Sequence, residues 1–226
     1  MKVSVIIPCT YKHILHISNL IRLFEDQTVL PNEIIIIISG IEMAFNVQQK
    51  LFSNKIEIIT NVFPEKRFAG ENRETGANIA SGDILIFQDA DDIPHKQRIE
   101  VIKKVFLNTK CLHVLHGWET ENNKEEIIID MENIKTYLTK DVFIIEKKNL
   151  FKTTFLYSCS YKIIDKIHNG AFSIDKSIIK QICWSNKRKG QDLETNYNII
   201  NTFPKKSLVI SSNKLYKYRN ELSSWN

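Results

Sequence analysis

Short apolar runs alternate with segments of helical period through the first half of this chain, and no other feature limits the fold as much. The runs are Val3–Pro8, Glu33–Ser39, Lys55–Thr60 and Asp83–Gln88. Between the first two, "HILHISNLIRLFEDQ" places Ile14, Ile17, Ile21 and Phe24 at spacings of three and four, so one helix face is apolar and can pack on a sheet. "EMAFNVQQKLF" repeats the pattern less cleanly, and "GENRETGANIA" is a polar, small-residue helix. Strand and helix in alternation predict an α/β fold: a Rossmann-like mixed, mainly parallel sheet flanked by helices. In such sheets ligands bind beyond the carboxyl ends of the strands, so Pro8–Tyr11, Ser39–Gly40, Asn61 and Asp89–Asp92 are expected to converge.

After that half, Ile99, Ile102 and Phe106 mark another helix, "CLHVLHGW" reads as a strand, "ETENNKEE" as an exposed loop, and the segment to about Tyr161 as further edge strands. A last helix opens near Gly190, with Leu193, Tyr197 and Ile200 on one face. With 226 residues, 43% of them hydrophobic and 25% charged, the chain is expected to form one domain over 1–226, a nucleotide-binding half (1–110) joined without a linker to a more mixed half (111–226). No apolar stretch approaches the roughly 18 residues of a membrane span, which predicts a soluble, cytoplasmic protein. Cys9, Cys111, Cys159 and Cys183 are scattered without a CxxC spacing, so they read as reduced thiols.

The formal charge is +5, and the excess lies late in the chain, in Lys187, Arg188, Lys189, Lys205, Lys206, Lys214, Lys217 and Arg219. These residues form either a solvated face or a surface for an anionic partner, including peripheral contact with a membrane. No interleaving of aromatic and basic residues supports nucleic-acid binding.

Chemistry concentrates in "ILIFQDADDIPHKQR", where a buried strand runs into Asp89, Asp91 and Asp92. One aspartate before "IPHKQ" is explained as a helix cap, with Pro94 in the first turn. Three are not, because like charges at this spacing repel and raise one another's pKa. A divalent cation, Mn2+ or Mg2+, which takes one or two carboxylates together with substrate phosphates, resolves the repulsion. A calcium loop starting at Asp89 is excluded by Pro94 at its sixth position, where glycine is required. An aspartyl-phosphate enzyme with Asp89 as nucleophile and Asp91 as acid would need its motif on the fourth strand, behind two extra βα units.

"VSVIIP", "QTVLPNEIIIIISG", "NRETGANIASGDILIFQDADD" and "GQDLE" together resemble, in order and spacing, the family 2 glycosyltransferases of the glycosyltransferase A fold. The resemblance runs from Val3 to Asp192 and on to "YKYRNELSS". It implies a nucleoside-diphosphate sugar donor, UDP- or GDP-linked, a divalent metal, a glycan or other hydroxyl acceptor, and inversion at the anomeric carbon. Asp89 and Ala90 would lie against the nucleotide, Asp91 would ligate the metal, and Arg73 would contact nucleotide or phosphate. Pro8, Thr10, Tyr11 and Ser39 would line the nucleotide-sugar site, and Asp192 would be the catalytic base. General chemistry agrees: glycosyl transfer builds negative charge on the departing diphosphate, and the attacking hydroxyl must lose a proton to a positioned carboxylate.

The chain departs from the family pattern where strand two ends in Ser39 and Gly40 rather than in acids, at Glu74 after Arg73, and at Gln191 before Asp192. These departures motivate a second expectation, a weakened module that binds sugar nucleotide or a partner without turnover. Cys111 and His113 are expected on one face of their strand with His116 on the other, which rules out a shared ion. His13 and His16 are expected to mark the edge and surface of a helix, and Trp118 and Trp184 either pack in the core or stack on an acceptor sugar.

Overall fold

The computed structural model describes residues 1–40, 51–120, 127–139, 155–156, 167–168, 172–188 and 190–219. The helix expected over 42–52, the edge strands expected up to Tyr161 and the Cys159 thiol lie largely or wholly outside these residues.

Four parallel strands form the first half of the sheet: β1 (Val3–Thr10), β2 (Glu33–Ser39), β3 (Glu57–Phe63) and β4 (Ile84–Phe87). β1 pairs with β2 on one side and with β4 on the other, and β3 pairs with the outer edge of β2. The chain therefore steps outward from β1 to β3 and then returns to the opposite side of β1, which puts a topological switch point between β1 and β4. Every residue of β2 is buried. Its isoleucines fill both faces, and burying each is worth about 1.5–3 kcal/mol.

Two apolar layers enclose the strands. On one face, α1 (Ile14–Glu25) and α3 (Arg98–Thr109), with Phe24, Ile102 and Phe106, meet Val5, Ile36 and Ile86. On the other, α2 (Ala69–Ile79) and α4 (Gln191–Thr202), with Ala77, Leu193 and Ile199, meet Ile6, Ile35 and Leu85. The helix for which sequence supplied the weakest stripe, α2, sits directly on β1: an added methyl at Gly76 would run into Ile6. Small residues there let the helix backbone approach the sheet closely.

The second half continues the same sheet, which also takes in the short strands β7 (Thr136–Leu138), β8 (Phe155–Leu156) and β9 (Ile167–His168). β10 (Ser173–Asp175) pairs antiparallel with both β4 and β6 (His113–Thr120), and β11 (Ser207–Tyr218) runs parallel to β6. Glu119 and Thr120 belong to β6 rather than to the expected exposed loop. The far end of β11 pairs with a two-residue strand, β5 (Ile93–Pro94). Here the structure corrects the capping expectation. Pro94 lies in a strand, α3 begins at Arg98, and the residue before it, Gln97, makes no side-chain cap.

Candidate active site at the sheet switch point

Because β1 and β4 are adjacent and parallel, the segments that leave their carboxyl ends must face each other. After β1 the chain makes a 3₁₀ turn, Tyr11–His13, before α1. After β4 it makes the acidic turn Gln88–Asp92. Asp91 Oδ2 and His13 Nε2 lie 3.9 Å apart across this gap, with side chains only 15% and 12% exposed. His13 is thus part of the site, not of the outer helix surface, and His16 is partly buried beside it, their ring centroids 6.4 Å apart.

Arg73 reaches the same turn from α2 and donates through Nη2 to Asp89 Oδ1 at 2.6 Å. Its side chain is almost wholly buried, and its Nε and Nη1 have no partner among the described residues. Asp89 is therefore held by a fixed cation, whereas Asp91 is pushed up to about 6 by burial and by Asp89, with His13 and Arg219 acting against the rise. Asp92 is the most deeply buried of the three. Its Oδ1 accepts the backbone N–H of Arg219 at 3.2 Å, and its Oδ2 has no partner among the described residues. Burial first, then Asp89 and Asp91, push its carboxyl well above the usual range.

A layer that sequence reasoning missed supports the turn from below. Gln88 donates through Nε2 to the carbonyls of Asp89 (2.9 Å) and Asp92 (3.2 Å), and its Oε1 accepts from Arg98 Nη1. Arg98, fully buried, also donates to the Phe87 carbonyl at 2.8 Å and lies over the Tyr216 ring. Burial lowers the Arg98 guanidinium to about 10, opposed by Tyr216, Asp89 and Asp92. The Tyr216 hydroxyl is pushed well above its usual range by burial, then by Asp92 and Asp89, with a smaller push from Asp192. The available signal was Arg98 itself, a cation four residues before Ile102 on the apolar face of α3.

Of the other candidate residues, Pro8 and Ala90 are buried in the strand and the turn, and Thr10 is partly buried at the end of β1, paired with Ser39. Tyr11 is 53% exposed and lies against Gly40, whose φ of 80° turns the chain out of β2. Ser39 is buried at the strand end, and its hydroxyl accepts from Asn72 Nδ2 at 3.0 Å. Asn61 falls inside β3, which runs two residues further to Phe63. Asp192 occupies the first turn of α4, where its Oδ1 accepts the Leu193 N–H at 2.9 Å. The loop before α4 is pressed onto α2: a methyl at Gly70 would collide with the Ser185 carbonyl and touch Gln191.

The histidines of β6, the tryptophans and the cysteines divide similarly. His113 and His116 are fully buried, and Cys111 precedes β6 and packs in the layer opposite His113 rather than sharing its face. Trp184 packs on Phe87 and Phe172 in the core, and Trp118 meets Tyr218 edge to face. Cys9 and Cys111 are buried free thiols, and Cys183 is exposed. Part of the late basic excess is matched internally, Lys187 by Glu194 at 2.8 Å and Lys217 by Glu119 at 3.8 Å. Among the described residues no helix is long and apolar enough to cross a membrane.

An acidic turn and a buried arginine thus meet at the switch point of an α/β sheet, and the fold is the glycosyltransferase A fold. Residues 4–172 match the family model "Glycosyl transferase family 2", and the chain belongs to that family. Among solved structures it is similar to S. aureus TarS 1–349 in complex with UDP, with 17% identity and a TM-score of 0.67 over 97% of this chain and 60% of that one. It is also similar to glucosyl-3-phosphoglycerate synthase from Mycobacterium tuberculosis in complex with Mn2+, UDP-glucose and phosphoglyceric acid, with 15% identity and a TM-score of 0.54 over 91% of this chain and 66% of that one. The chain thus spans about 60% of the TarS fragment and about two thirds of the synthase. No curated protein matches its sequence.

The residues present fit a divalent cation. Asp91 and Asp92 share a buried turn, Asp91 faces the His13 imidazole at 3.9 Å, and one buried Asp92 oxygen has no partner among the described residues. Among the described residues no three His, Cys, Asp or Glu side chains are close enough to hold an ion alone. An ion here would complete its shell with substrate oxygens, which is how Mg2+ and Mn2+ are usually bound at phosphates.

Proposed function

We propose that this chain is a metal-dependent, inverting glycosyltransferase that moves a sugar from a UDP- or GDP-linked donor to a hydroxyl acceptor of a glycan, a lipid-linked glycan or a glycoprotein. The observation that carries the reading is the Arg73–Asp89 ion pair standing beside Asp91 at the switch point of a family 2 chain. The ion pair with Arg73 aims Asp89 so that its carboxylate can accept from the ribose or base. Tyr11, exposed beside Gly40, offers a ring face to the nucleotide, and Thr10 and Pro8 form the floor beneath it. Asp91 would hold a divalent ion, Mn2+ or Mg2+, against the diphosphate, where it supplies charge stabilisation to the departing group.

Asp192 takes the proton from the acceptor hydroxyl as that oxygen attacks the anomeric carbon on the side opposite the diphosphate. Gly70 keeps the loop that leads into Asp192 close to the helix that carries Arg73, which supports placing base and donor at one crevice. We assign the whole of 1–226 to one catalytic domain, working in the cytoplasm.

The competing reading, a module that binds sugar nucleotide without turnover, is favoured by Ser39, whose hydroxyl is bonded to Asn72 instead of being offered to a base. Donor hydrolysis separates the two. Mn2+-dependent release of UDP or GDP that disappears in Asp91→Ala and Asp192→Asn supports the enzyme, whereas nucleotide-induced thermal stabilisation without release from any common donor supports the binding module.

A further inference from the structure

The loop after β1 is fixed in place by the sheet, and it carries an imidazole to the acidic turn. Pairing of β1 with β4 sets Ile6 opposite Phe87, so the last four residues of β1 run on past the end of β4, on the side where the acidic turn leaves it. The Tyr11–His13 turn then ends with His13 at the start of α1, with its ring directed across the switch point. Its Nε2 is 3.9 Å from Asp91 Oδ2. Two donors each about 2.1 Å from one ion stand roughly 3.0 Å apart in adjacent positions and roughly 4.2 Å apart in opposite ones, so this pair is spaced to share an ion with little movement of either side chain. Both side chains are largely shielded from solvent, which limits their freedom to swing away.

We propose that His13 is the second protein ligand of the divalent ion, completing with Asp91 a two-residue clamp across the β1/β4 switch point. This inference rests on the functional reading above and adds to it a ligand of a different chemical kind. An imidazole suits a first-row transition ion, whereas Mg2+ is held by oxygen donors. The clamp therefore selects Mn2+ over Mg2+, and the other coordination positions are left to diphosphate and water oxygens.

The test uses the full chain with Mn2+ and, in parallel, UDP or GDP. Bound Mn2+ is measured from the loss of the free-ion electron paramagnetic resonance signal, and its ligands from 14N modulation of the spin echo. The expected result is 14N coupling in the wild-type protein that vanishes in His13→Ala, together with a roughly tenfold weaker Mn2+ affinity and little change for Mg2+. The wild-type spectrum is itself decisive should the variant fold poorly. Mn2+ bound without 14N coupling, or coupling that persists in His13→Ala, overturns the clamp and leaves the glycosyltransferase reading intact. No Mn2+ bound with either nucleotide overturns both.

Discussion

Arg73 Nη2 lies 2.6 Å from Asp89 Oδ1, so a helix on one face of the sheet is tied directly to the turn at the end of β4. The guanidinium is the more buried partner, with 4% of its side chain exposed against 22% for the carboxylate. Arg73→Ala removes the cation paired with Asp89 and leaves that carboxylate facing Asp91 and Asp92 uncompensated. We expect donor turnover to fall at least tenfold and urea unfolding to show a loss of about 2 kcal/mol, with Arg73→Lys intermediate because it keeps the charge without the fork. Wild-type turnover in Arg73→Ala would remove this pair from the functional site.

Arg98 is buried beneath the same turn and bonds Gln88 and the Phe87 carbonyl. Arg98→Met leaves the Gln88 amide oxygen without that donor and removes a buried cation that offsets Asp92. Breaking a buried charged network in this way costs about 3–5 kcal/mol, and chemical denaturation should find this among the most destabilising single changes in the protein. A loss under about 1 kcal/mol would show that the network reorganises cheaply.

Gly70 and Gly76 lie on one helix but meet different obstacles. A methyl at Gly76 faces the side chain of Ile6, which can shift, so Gly76→Ala should cost about 1–3 kcal/mol while nucleotide binding survives. At Gly70 the obstacle is the Ser185 backbone carbonyl, which moves only with the whole loop that leads into Asp192. Gly70→Ala should therefore depress turnover more than stability, a contrast that melting curves and initial rates on the two variants will reveal.

His113 is fully buried with both ring nitrogens bonded, Nδ1 to Ser207 Oγ at 2.6 Å and Nε2 to Asn196 Oδ1 at 3.0 Å. Burial lowers its pKa from 6.5 to about 4. Between those values the unfolded chain holds a proton that the folded protein does not, so His113 contributes full stability above pH 6.5 and progressively less as pH falls towards 4. The loss is on the order of 1 kcal/mol per pH unit. His113→Gln should flatten the melting-temperature profile across this window, and an unchanged slope would assign the acid sensitivity to other groups.

The layered α/β order could be read directly from residues, because a strand buried on both faces and a helix buried on one leave local patterns of apolar spacing. β1, β2, β4, α1 and α3 fall close to where those patterns put them. Errors arose where the pattern was local but the cause was not. Pro94 looked like a helix start because proline suits a first turn, yet pairing with Tyr216 of β11 made it part of a strand. His13 looked like a helix edge because helical period says nothing about which loop stands opposite.

The candidate site divides along the same line. Sequence order alone put Asp89, Asp91 and Asp92 at a strand end and Asp192 at a helix start, since apolar runs and helix starts are properties of a few consecutive residues. Which carboxylate is held by which donor was decided by the fold. Arg73 and Asp89 are 16 residues apart in the chain, and Arg219 and Asp92 are 127 apart. Such pairs exist only because β4 inserts beside β1 and β11 returns along β6. Electrostatic fate depends on distance and burial in three dimensions, and sheet pairing sets both.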